Sequence, residues 1–505
     1  MASRLRAALP LAFTLSAIVA LAAALRFFAL DFGIAYPRAR PDEGTAIGHA
    51  LGILAGDPNP HFFNWPSLTL YLFAAAFAAA KAVGVTLTGL HHVLIARGVV
   101  ALAGIATVIL TAAIGRSFGD PAIGIVAALF LAVAPLHVRD SHFAMTDVLM
   151  TLFATGSIAL MRRAVETRRR PLFAAAGIAG GLATSTKYSA GVILAVAAAA
   201  PAIASAALFA ACWAAGFIAG TPFAVLDFAA FSGDVAYERA HLSGGHTVLL
   251  GRGWLYHLHT TLPHGLGIGV FAAAVGGIVV CAVRYRRQAL VPALFAAAFY
   301  LSMGAGRTVF FRYAMPLLPL ACVFAAAAVT SAAQGIGARL RTEPAGIAAV
   351  LAIAIAAPSL RQSVQLDRML AREDSRALAA AWLAERLRPE QSLHDSGGDY
   401  VRLYFTGVEF HQWRYDPAAR SFGDPQGATP DWIVLYQSPL PEYTAAPESL
   451  RDLVRDRYNL AYRVDGVPAA AGSGVYDRQD AFFVPIAGFR GVARPGPSVL
   501  IYRRR

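Results

Sequence analysis

Apolar segments recur from Ala8 to Leu360, each about 20 residues long, which is enough for a helix to cross a hydrocarbon core of ~30 Å. Within lipid a segment must satisfy its own backbone hydrogen bonds, so helices are the spanning structure expected here. Of the 505 residues, 57% are hydrophobic and only 14% are charged, which is typical of a chain whose solvent is largely lipid. The sequence therefore predicts a polytopic, all-α membrane domain.

Basic residues cluster in short loops between these segments, where Arg and Lys mark the cytoplasmic side of a membrane. The clusters are Arg4 with Arg6, Arg116, Arg162 with Arg163, Arg168 to Arg170, Arg284 with Arg286 and Arg287, and Arg339 with Arg341. The segment 67–83 is short and carries Lys81, so we interpret it as a surface or re-entrant helix on the outer side. This placement keeps every basic cluster on the cytoplasmic side.

The resulting topology has about 11 transmembrane helices. The predicted spans are 8–30, 96–115, 121–138, 145–161, 171–187, 189–204, 205–226, 262–283, 289–304, 312–334 and 344–360. A crossing by 67–83 would bring the count to 12, unless one Ala-rich segment between 171 and 226 does not cross. The first extracytoplasmic loop is then 31–95.

Charged residues and prolines become frequent after Leu360, and no later segment is apolar enough to span. We therefore predict two domains, a transmembrane domain over 1–360 and an extracytoplasmic soluble domain over 361–505. In the latter, the pattern predicts an amphipathic helix over Ser375–Leu387, a strand after it, and a buried strand over Asp431–Tyr436. These elements indicate a small α/β domain.

The net charge of +13 does not indicate nucleic-acid binding, because the basic residues do not form a stripe interleaved with aromatic side chains. The partners expected are instead membrane lipids. The protein is predicted to be multi-pass in the cytoplasmic (inner) membrane of a prokaryote.

The acidic pair Asp42 and Glu43 opens the stretch RPDEGTAIGHALGILAGDPNPHFFNWP in the first outer loop. One interpretation is helix capping, because Pro41 suits a helix start and acids favour the positive end of the helix dipole. The other is catalytic: a carboxylate can remove a proton from an acceptor hydroxyl, and a second acid can raise its pKa or orient it. We take the pair as candidate catalytic residues.

Asp147 lies in HVRDSHFAMTDVLM, at the outer start of a predicted span. An acid there is costly unless it faces protein or water, which makes it a functional candidate, with N-capping as the alternative. The preceding short loop contains Arg139 and His142 among four ionisable residues, and this suggests an anion site. No metal-binding spacing is present, so a divalent cation is left open and no other cofactor is predicted.

Lys187 and Arg312 depart from the positive-inside rule, since both lie at predicted outer ends of spans. Each could snorkel to the interface, but a phosphate partner gives another reason, because both side chains bind phosphate oxygens by charge-assisted hydrogen bonds. Together with Arg139 they form the predicted donor-phosphate site. The further candidates are His142, Tyr188, Tyr313 and, from a loop rich in His and aromatic residues, His246 and Glu238.

The first-loop stretch resembles that of GT-C fold glycosyltransferases, in the family of protein O-mannosyltransferases and lipid A aminoarabinose transferases (glycosyltransferase family 39 type). The segments HVRDSHFAMTDVLMTLF, GLATSTKYSAG and FFRYAMPLLP extend the resemblance over most of 8–330. It implies the GT-C fold, with Asp42 as the acidic residue of the first loop and Asp147 as the second acid. Where aminoarabinose transferases carry Lys before Pro-Pro, Asn64 and Trp65 stand here before Pro66.

The resemblance further implies transfer of a sugar from a polyprenyl-phosphate donor to a protein, lipid or glycan acceptor on the outer face. We predict inversion at the anomeric carbon with a carboxylate general base, in a hexosyl- or pentosyltransferase. The alternative function is a polytopic transporter or lipid flippase. Transporters place charges near the bilayer midplane, whereas the acids here cluster at one face.

Overall fold

A computed structural model describes residues 2–423, 428–467 and 474–505, with side chains from residue 11 onward. The side chains of Arg4 and Arg6 thus lie outside the described residues. The chain forms two compact units. The membrane unit comprises Met1–Leu30 and Thr45–Val364, and the C-terminal unit comprises Asp31–Gly44 and Gln365–Arg505. The grouping of Asp31–Gly44 with the C-terminal residues has no counterpart in the sequence pattern.

The membrane unit is built from helices. They are α1 (Ala2–Phe27), α2 (Glu43–Leu54, which begins in the C-terminal unit), α3 (Leu68–Ala82), α4 (Gly89–Arg116), α5 (Pro121–Ala132), α6 (Pro135–Asp140), α7 (Thr146–Thr167), α8 (Arg170–Thr184), α9 (Ile203–Gly220), α10 (Phe223–Leu226), α11 (Phe228–Gly244), α12 (Gly253–Tyr256), α13 (Leu262–Leu266), α14 (Ile268–Arg284), α15 (Arg286–Ala305), α16 (Leu318–Leu340) and α17 (Pro344–Leu370, which ends in the C-terminal unit). A π-helical turn, His257–Thr261, and two 3₁₀ segments, Tyr188–Ala199 and Phe311–Leu317, complete it.

The predicted count of about 11 spans is not confirmed. In the part of the chain that the structure describes, six helical stretches are long and apolar enough to cross a membrane. They are Gly89–Arg116, Thr146–Thr167, Ile203–Gly220, Arg286–Ala305, Phe311–Leu340 and Pro344–Ala384. A seventh is added if Gly253–Leu266 and Ile268–Arg284, which meet at an angle of 117°, form one span. The protein is thus a multi-pass membrane protein.

Two predicted spans differ from a single continuous α-helix. The segment 121–138 is divided, because α5 ends at Ala132 and Pro135, which has no N–H to donate, begins α6. The segment 189–204 overlaps the 3₁₀ segment Tyr188–Ala199, whose 12 residues rise only ~24 Å in all, less than the ~30 Å of a hydrocarbon core. Apolar composition therefore identified these segments but not their geometry.

Glycines allow the closest helix contacts in the membrane unit. A Cβ at Gly181 of α8 would collide with the carbonyl oxygen of Trp213 in α9, and one at Gly277 of α14 with the carbonyl oxygen of Phe324 in α16. Small residues let helix backbones approach in this way, and dispersion contacts then stabilise the pairing where lipid gives no hydrophobic driving force. These contacts fix the relative positions of the helices that the polar loops connect.

The C-terminal unit contains the predicted small α/β domain. Helix α18 (Ser375–Ala384) matches the predicted amphipathic helix, and helices α19 (Pro441–Thr444) and α20 (Glu448–Arg457) follow later. The strands are β1 (Ser392–Asp395), β2 (His411–Gln412), β3 (Trp432–Gln437), β4 (Tyr458–Val464) and β5 (Ser498–Arg504), in the order β2-β1-β3-β5-β4. Strand β1 pairs in parallel with β2 and β3, and β5 pairs antiparallel with β3 and β4. Leu450 and Val454 of α20 pack on Ile433 and Leu435, so β3 is the buried strand expected near 431–436.

The α14–α16 contact predicts unequal effects for two adjacent glycines. Gly277→Leu should lower the free energy of unfolding by ~1–3 kcal/mol, because its side chain meets the backbone of α16. Gly276→Leu is the matched control, since no atom lies within 4 Å of a Cβ there. Thermal unfolding in detergent measures both variants. Equal stability of the two would contradict this packing.

Candidate functional site

Asp147 and Lys187 form a hydrogen-bonded ion pair in the membrane unit. Asp147 is in the first turn of α7, where the positive end of the helix dipole also stabilises a carboxylate. Lys187 lies in the turn between α8 and the segment Tyr188–Ala199, and its Nζ donates to Asp147 Oδ1 at 2.6 Å. The Asp147 side chain is 1% exposed and that of Lys187 17%. The pair is therefore largely shielded from water.

Arg312 approaches the same carboxylate from the 3₁₀ segment Phe311–Leu317. Its Nε lies 3.9 Å from Asp147 Oδ2, and its guanidinium carbon lies 4.1 Å from the centre of the Phe310 ring. Lys187 Nζ similarly lies 4.3 Å from the centre of the Tyr313 ring. These aromatic faces hold both cations beside Asp147. We call Asp147, Lys187, Arg312, Phe310 and Tyr313 the ionic cluster.

The charges in the cluster act on one another because water is largely excluded. Burial lowers the pKa of Lys187, since the charged ammonium loses hydration, and the negative charge of Asp147 acts in the opposite direction. Arg312 lowers this pKa further, and Glu238 raises it. Two cations thus lie beside one buried carboxylate, and lysine and arginine side chains are both groups that bind anionic ligands.

Further contacts join loop residues to one another and, through His246 and Phe310, to the cluster. Tyr188 Oη donates to the carbonyl oxygen of Phe63 at 2.7 Å. Asn64 Nδ2 donates to Glu238 Oε1 at 3.3 Å. The centres of the His246 and Phe310 rings lie 5.2 Å apart. These contacts connect the candidates Tyr188, Glu238 and His246 to the loop around residue 64 and to the cluster. Asn64, which in the sequence was only a departure from the family pattern, therefore has a hydrogen-bond partner in Glu238.

The short loop before α7 is also ordered by its own side chains. Arg139 pairs with Asp140, with Nε 3.0 Å from Oδ1, and its guanidinium lies 5.8 Å from the centre of the Phe311 ring. The ring nitrogens of His142 lie 2.9 Å from the carbonyl oxygens of Val138 and Phe28. The side chains of Arg139 and His142 therefore make contacts that fix the loop. A phosphate role for Arg139 stays a prediction.

Asp42 and Glu43 belong to the C-terminal unit. Asp42 is half-buried and has a φ of +72°, and Glu43, 6% exposed, is the first residue of α2. A left-handed backbone at a residue with a side chain costs of order 1–3 kcal/mol unless its surroundings impose it. The sequence singled out this pair by composition, and the structure adds that the backbone of Asp42 is strained.

Three further polar groups, of which Asp234 is half-buried and Arg26 and Arg40 are buried, were not identified from the sequence. Asp234 accepts from the backbone N–H of Phe63 at 2.7 Å. Arg26 is fully buried in α1, where it donates to backbone carbonyls of α5 and lies 2.9 Å from His137 Nδ1. Arg40 pairs with Asp480 in the C-terminal unit. The position of Arg26 within an apolar segment was a usable signal, since an intramembrane charge needs a partner.

No group of three or more His, Cys, Asp and Glu side chains is arranged to hold a metal within the described ranges. The divalent cation left open by the sequence stays untested.

Comparison with solved structures identifies the fold of the chain. ArnT from Cupriavidus metallidurans bound to undecaprenyl phosphate matches with a TM-score of 0.55 and 15% identity, over 96% of this chain and 97% of that one. The Archaeoglobus fulgidus oligosaccharyltransferase in its apo form matches with a TM-score of 0.52 and 14% identity, over 74% of this chain. The match extends over only 58% of the archaeal chain. These likenesses show that the protein has the GT-C fold.

The sequence itself carries a family match within the membrane unit. Residues 72–232 match the sequence model of the dolichyl-phosphate-mannose-protein mannosyltransferase family, and this confirms the family resemblance drawn from the motifs. The matched region includes Asp147 and Lys187. No curated protein matches the chain at the significance required. A third structure, AglB from Archaeoglobus fulgidus with an inhibitory peptide and a dolichol-phosphate, matches with a TM-score of 0.51 and 14% identity, over 74% of this chain and 58% of that chain.

The Asp147–Lys187 pair predicts a thermodynamic cycle. Lys187→Met should destabilise the protein toward the lower end of the ~3–5 kcal/mol typical of a broken buried pair, because Arg312 remains near Asp147. Adding Asp147→Asn should recover much of that loss. Arg163→Met is the control, since Arg163 and Glu166 form an exposed pair at 3.3 Å. Unfolding in detergent measures the cycle, and purely additive effects would contradict a coupled pair.

Proposed function

We propose that the protein is a membrane glycosyltransferase that moves a sugar from a polyprenyl-phosphate donor to an acceptor hydroxyl. The ionic cluster carries this proposal: Lys187 and Arg312 supply buried positive charge beside Asp147, in a chain with the GT-C fold. The undecaprenyl phosphate bound to ArnT and the dolichol-phosphate bound to AglB support the same donor class. The sugar is a hexose or a pentose, and the acceptor is a protein, lipid or glycan.

The reaction proposed is an inverting displacement. The acceptor oxygen forms a bond to the anomeric carbon while the bond from that carbon to the phosphate oxygen breaks. The acceptor proton passes to the carboxylate of Asp42, and the electron pair leaves with the polyprenyl phosphate. The leaving group becomes more negative as it departs, so cations fixed in advance stabilise the transition state more than the ground state.

Each member of the ionic cluster has a distinct task in this proposal. Lys187 meets the phosphate charge, because it has three N–H groups and uses one for Asp147. Arg312 offers a planar set of donors to the phosphate oxygens. Asp147 keeps both cations in place and positions the acceptor. Glu43 orients Asp42, and the cluster faces the outer side of a prokaryotic inner membrane, as does the C-terminal unit.

Replacement of Asp42 tests the proposed base. Asp42→Asn should lower kcat by ~10²–10⁴, the usual contribution of general base catalysis, with little change in donor binding. Turnover is measured with membrane-inserted protein and a panel of labelled polyprenyl-phosphate sugars, with and without chelator. A wild-type rate would remove Asp42 from the mechanism. Movement of labelled lipid across the bilayer without covalent transfer would favour the transporter or flippase instead.

The depressed pKa of Lys187 predicts a pH effect. The ammonium is charged below its pKa. As pH rises, kcat/KM for the donor should therefore begin to fall at a lower pH than it would for an ordinary lysine, whose pKa is ~10.4. Lys187→Arg should move this decline upward by ~1 pH unit or more, because the guanidinium pKa is above ~12. The chain has one other lysine, so Lys81→Arg is the control. An unchanged alkaline limb in Lys187→Arg would contradict a phosphate role.

A further inference from the structure

The segment Asp31–Gly44, which carries the acidic pair, packs among residues more than 300 positions later in the C-terminal unit. The Phe32 ring lies edge-on to Phe482, with centres 6.2 Å apart. Tyr36 Oη donates to the carbonyl oxygen of Arg402 at 2.9 Å, and the guanidinium carbon of Arg376 lies 3.8 Å from the centre of the Tyr36 ring. The segment is therefore attached along its length.

Arg376 is a rigid support for this attachment. Asp374 holds it through two hydrogen bonds, from Nε to Oδ1 at 2.8 Å and from Nη2 to Oδ2 at 2.7 Å, and both side chains are almost fully buried. Paired bonds of this kind fix the plane of the guanidinium. The Tyr36 ring therefore packs on a surface that cannot easily rotate.

The last attachment before the acidic pair is an ion pair. Arg40 Nη1 donates to both carboxylate oxygens of Asp480 at 2.7 Å, and the two side chains are 0% and 3% exposed. The guanidinium carbon of Arg40 also lies 5.5 Å from the centre of the Phe482 ring. Removal of one member of a buried pair leaves the other charge without compensation, so this contact tolerates little movement.

Only Pro41 separates Arg40 from Asp42, and the chain between them is stiff. The ring of Pro41 fixes its φ, while Asp42 adopts a φ of +72° and Glu43 begins α2. A non-glycine residue in this backbone region needs support from its surroundings. The negative charge of Asp42 also contributes, after burial, to the raised pKa of Tyr400, which places the carboxylate near this residue of the same unit.

We propose that Arg40 and Asp480 are positioning residues for the acidic pair: their buried ion pair sets the backbone conformation that presents Asp42. The C-terminal unit thereby takes part in catalysis without contacting substrate through this pair. The inference rests on the proposed function in one respect, since it assigns a catalytic task to Asp42. The pair itself is a structural observation.

The central test replaces the ion pair by apolar groups. Arg40→Met/Asp480→Leu removes both charges together, a change that is often neutral for stability. In full-length, membrane-inserted protein, kcat should fall ~10- to 100-fold with the donor KM nearly unchanged, because misplacement of a reacting group by ~1 Å has an effect of this size. The control is Asp465→Asn, which disrupts an exposed pair with Arg463 in the same unit. A folded double variant with wild-type kcat would overturn the proposal.

Asp480→Asn keeps the shape of the side chain and removes its charge, which covers the case in which the double variant does not fold. It should lower kcat and speed amide hydrogen exchange over 41–46, while exchange in β3 and β5 stays at the wild-type rate. Wild-type kcat together with wild-type exchange over 41–46 would overturn the inference.

Assays of Asp42→Asn separate the two proposals. If that variant is fully active, the assignment of Asp42 as general base is wrong. An inactive Asp42→Asn beside a fully active double variant contradicts only the positioning role of Arg40 and Asp480.

Discussion

The exclusion of water from ionised side chains is the constraint on which both units depend. A buried charge is costly unless an opposite charge or several hydrogen bonds accompany it, so each such side chain determines what must lie beside it. Asp147 requires Lys187, and Arg26 requires the carbonyl oxygens of α5. In the C-terminal unit, Asp480 requires Arg40. These requirements link parts of the chain that are far apart in sequence, and they fix loops that apolar packing alone would leave free to move.

The sequence predicted those features that depend on composition and on short-range rules. Charges that depart from the positive-inside pattern drew attention to Lys187 and Arg312, and an acid at the start of a helix drew attention to Asp147. The structure joins these separate signals into one cluster. In the C-terminal unit, the helix at 375 and the buried strand at 432 follow directly from periodicity. Local patterns were sufficient for these features because each depends on residues that are close together in the sequence.

Features that depend on tertiary contacts could not be obtained in this way. A hydropathy window does not detect that a proline divides 121–138, or that 188–199 winds as a 3₁₀ helix, because both segments are equally apolar in any conformation. The pairing of Arg40 with Asp480 joins residues 440 positions apart, and each looks like an ordinary surface charge in the sequence. Burial alone distinguishes them, and burial is a property of the folded chain.

The charge balance of the ionic cluster bears on which ligand it can accept. Lys187 and Arg312 contribute two positive charges and Asp147 one negative charge, and the aromatic faces of Phe310 and Tyr313 add only the weak attraction of their rings. A metal cation approaching Asp147 would meet repulsion from both basic side chains in a region of low dielectric constant. A phosphate would instead be attracted by both basic side chains. In the proposed reaction, the leaving phosphate oxygen would compete with Asp147 for Lys187 as its bond to the anomeric carbon breaks, so the pair that stabilises the fold would also affect how firmly the product is held.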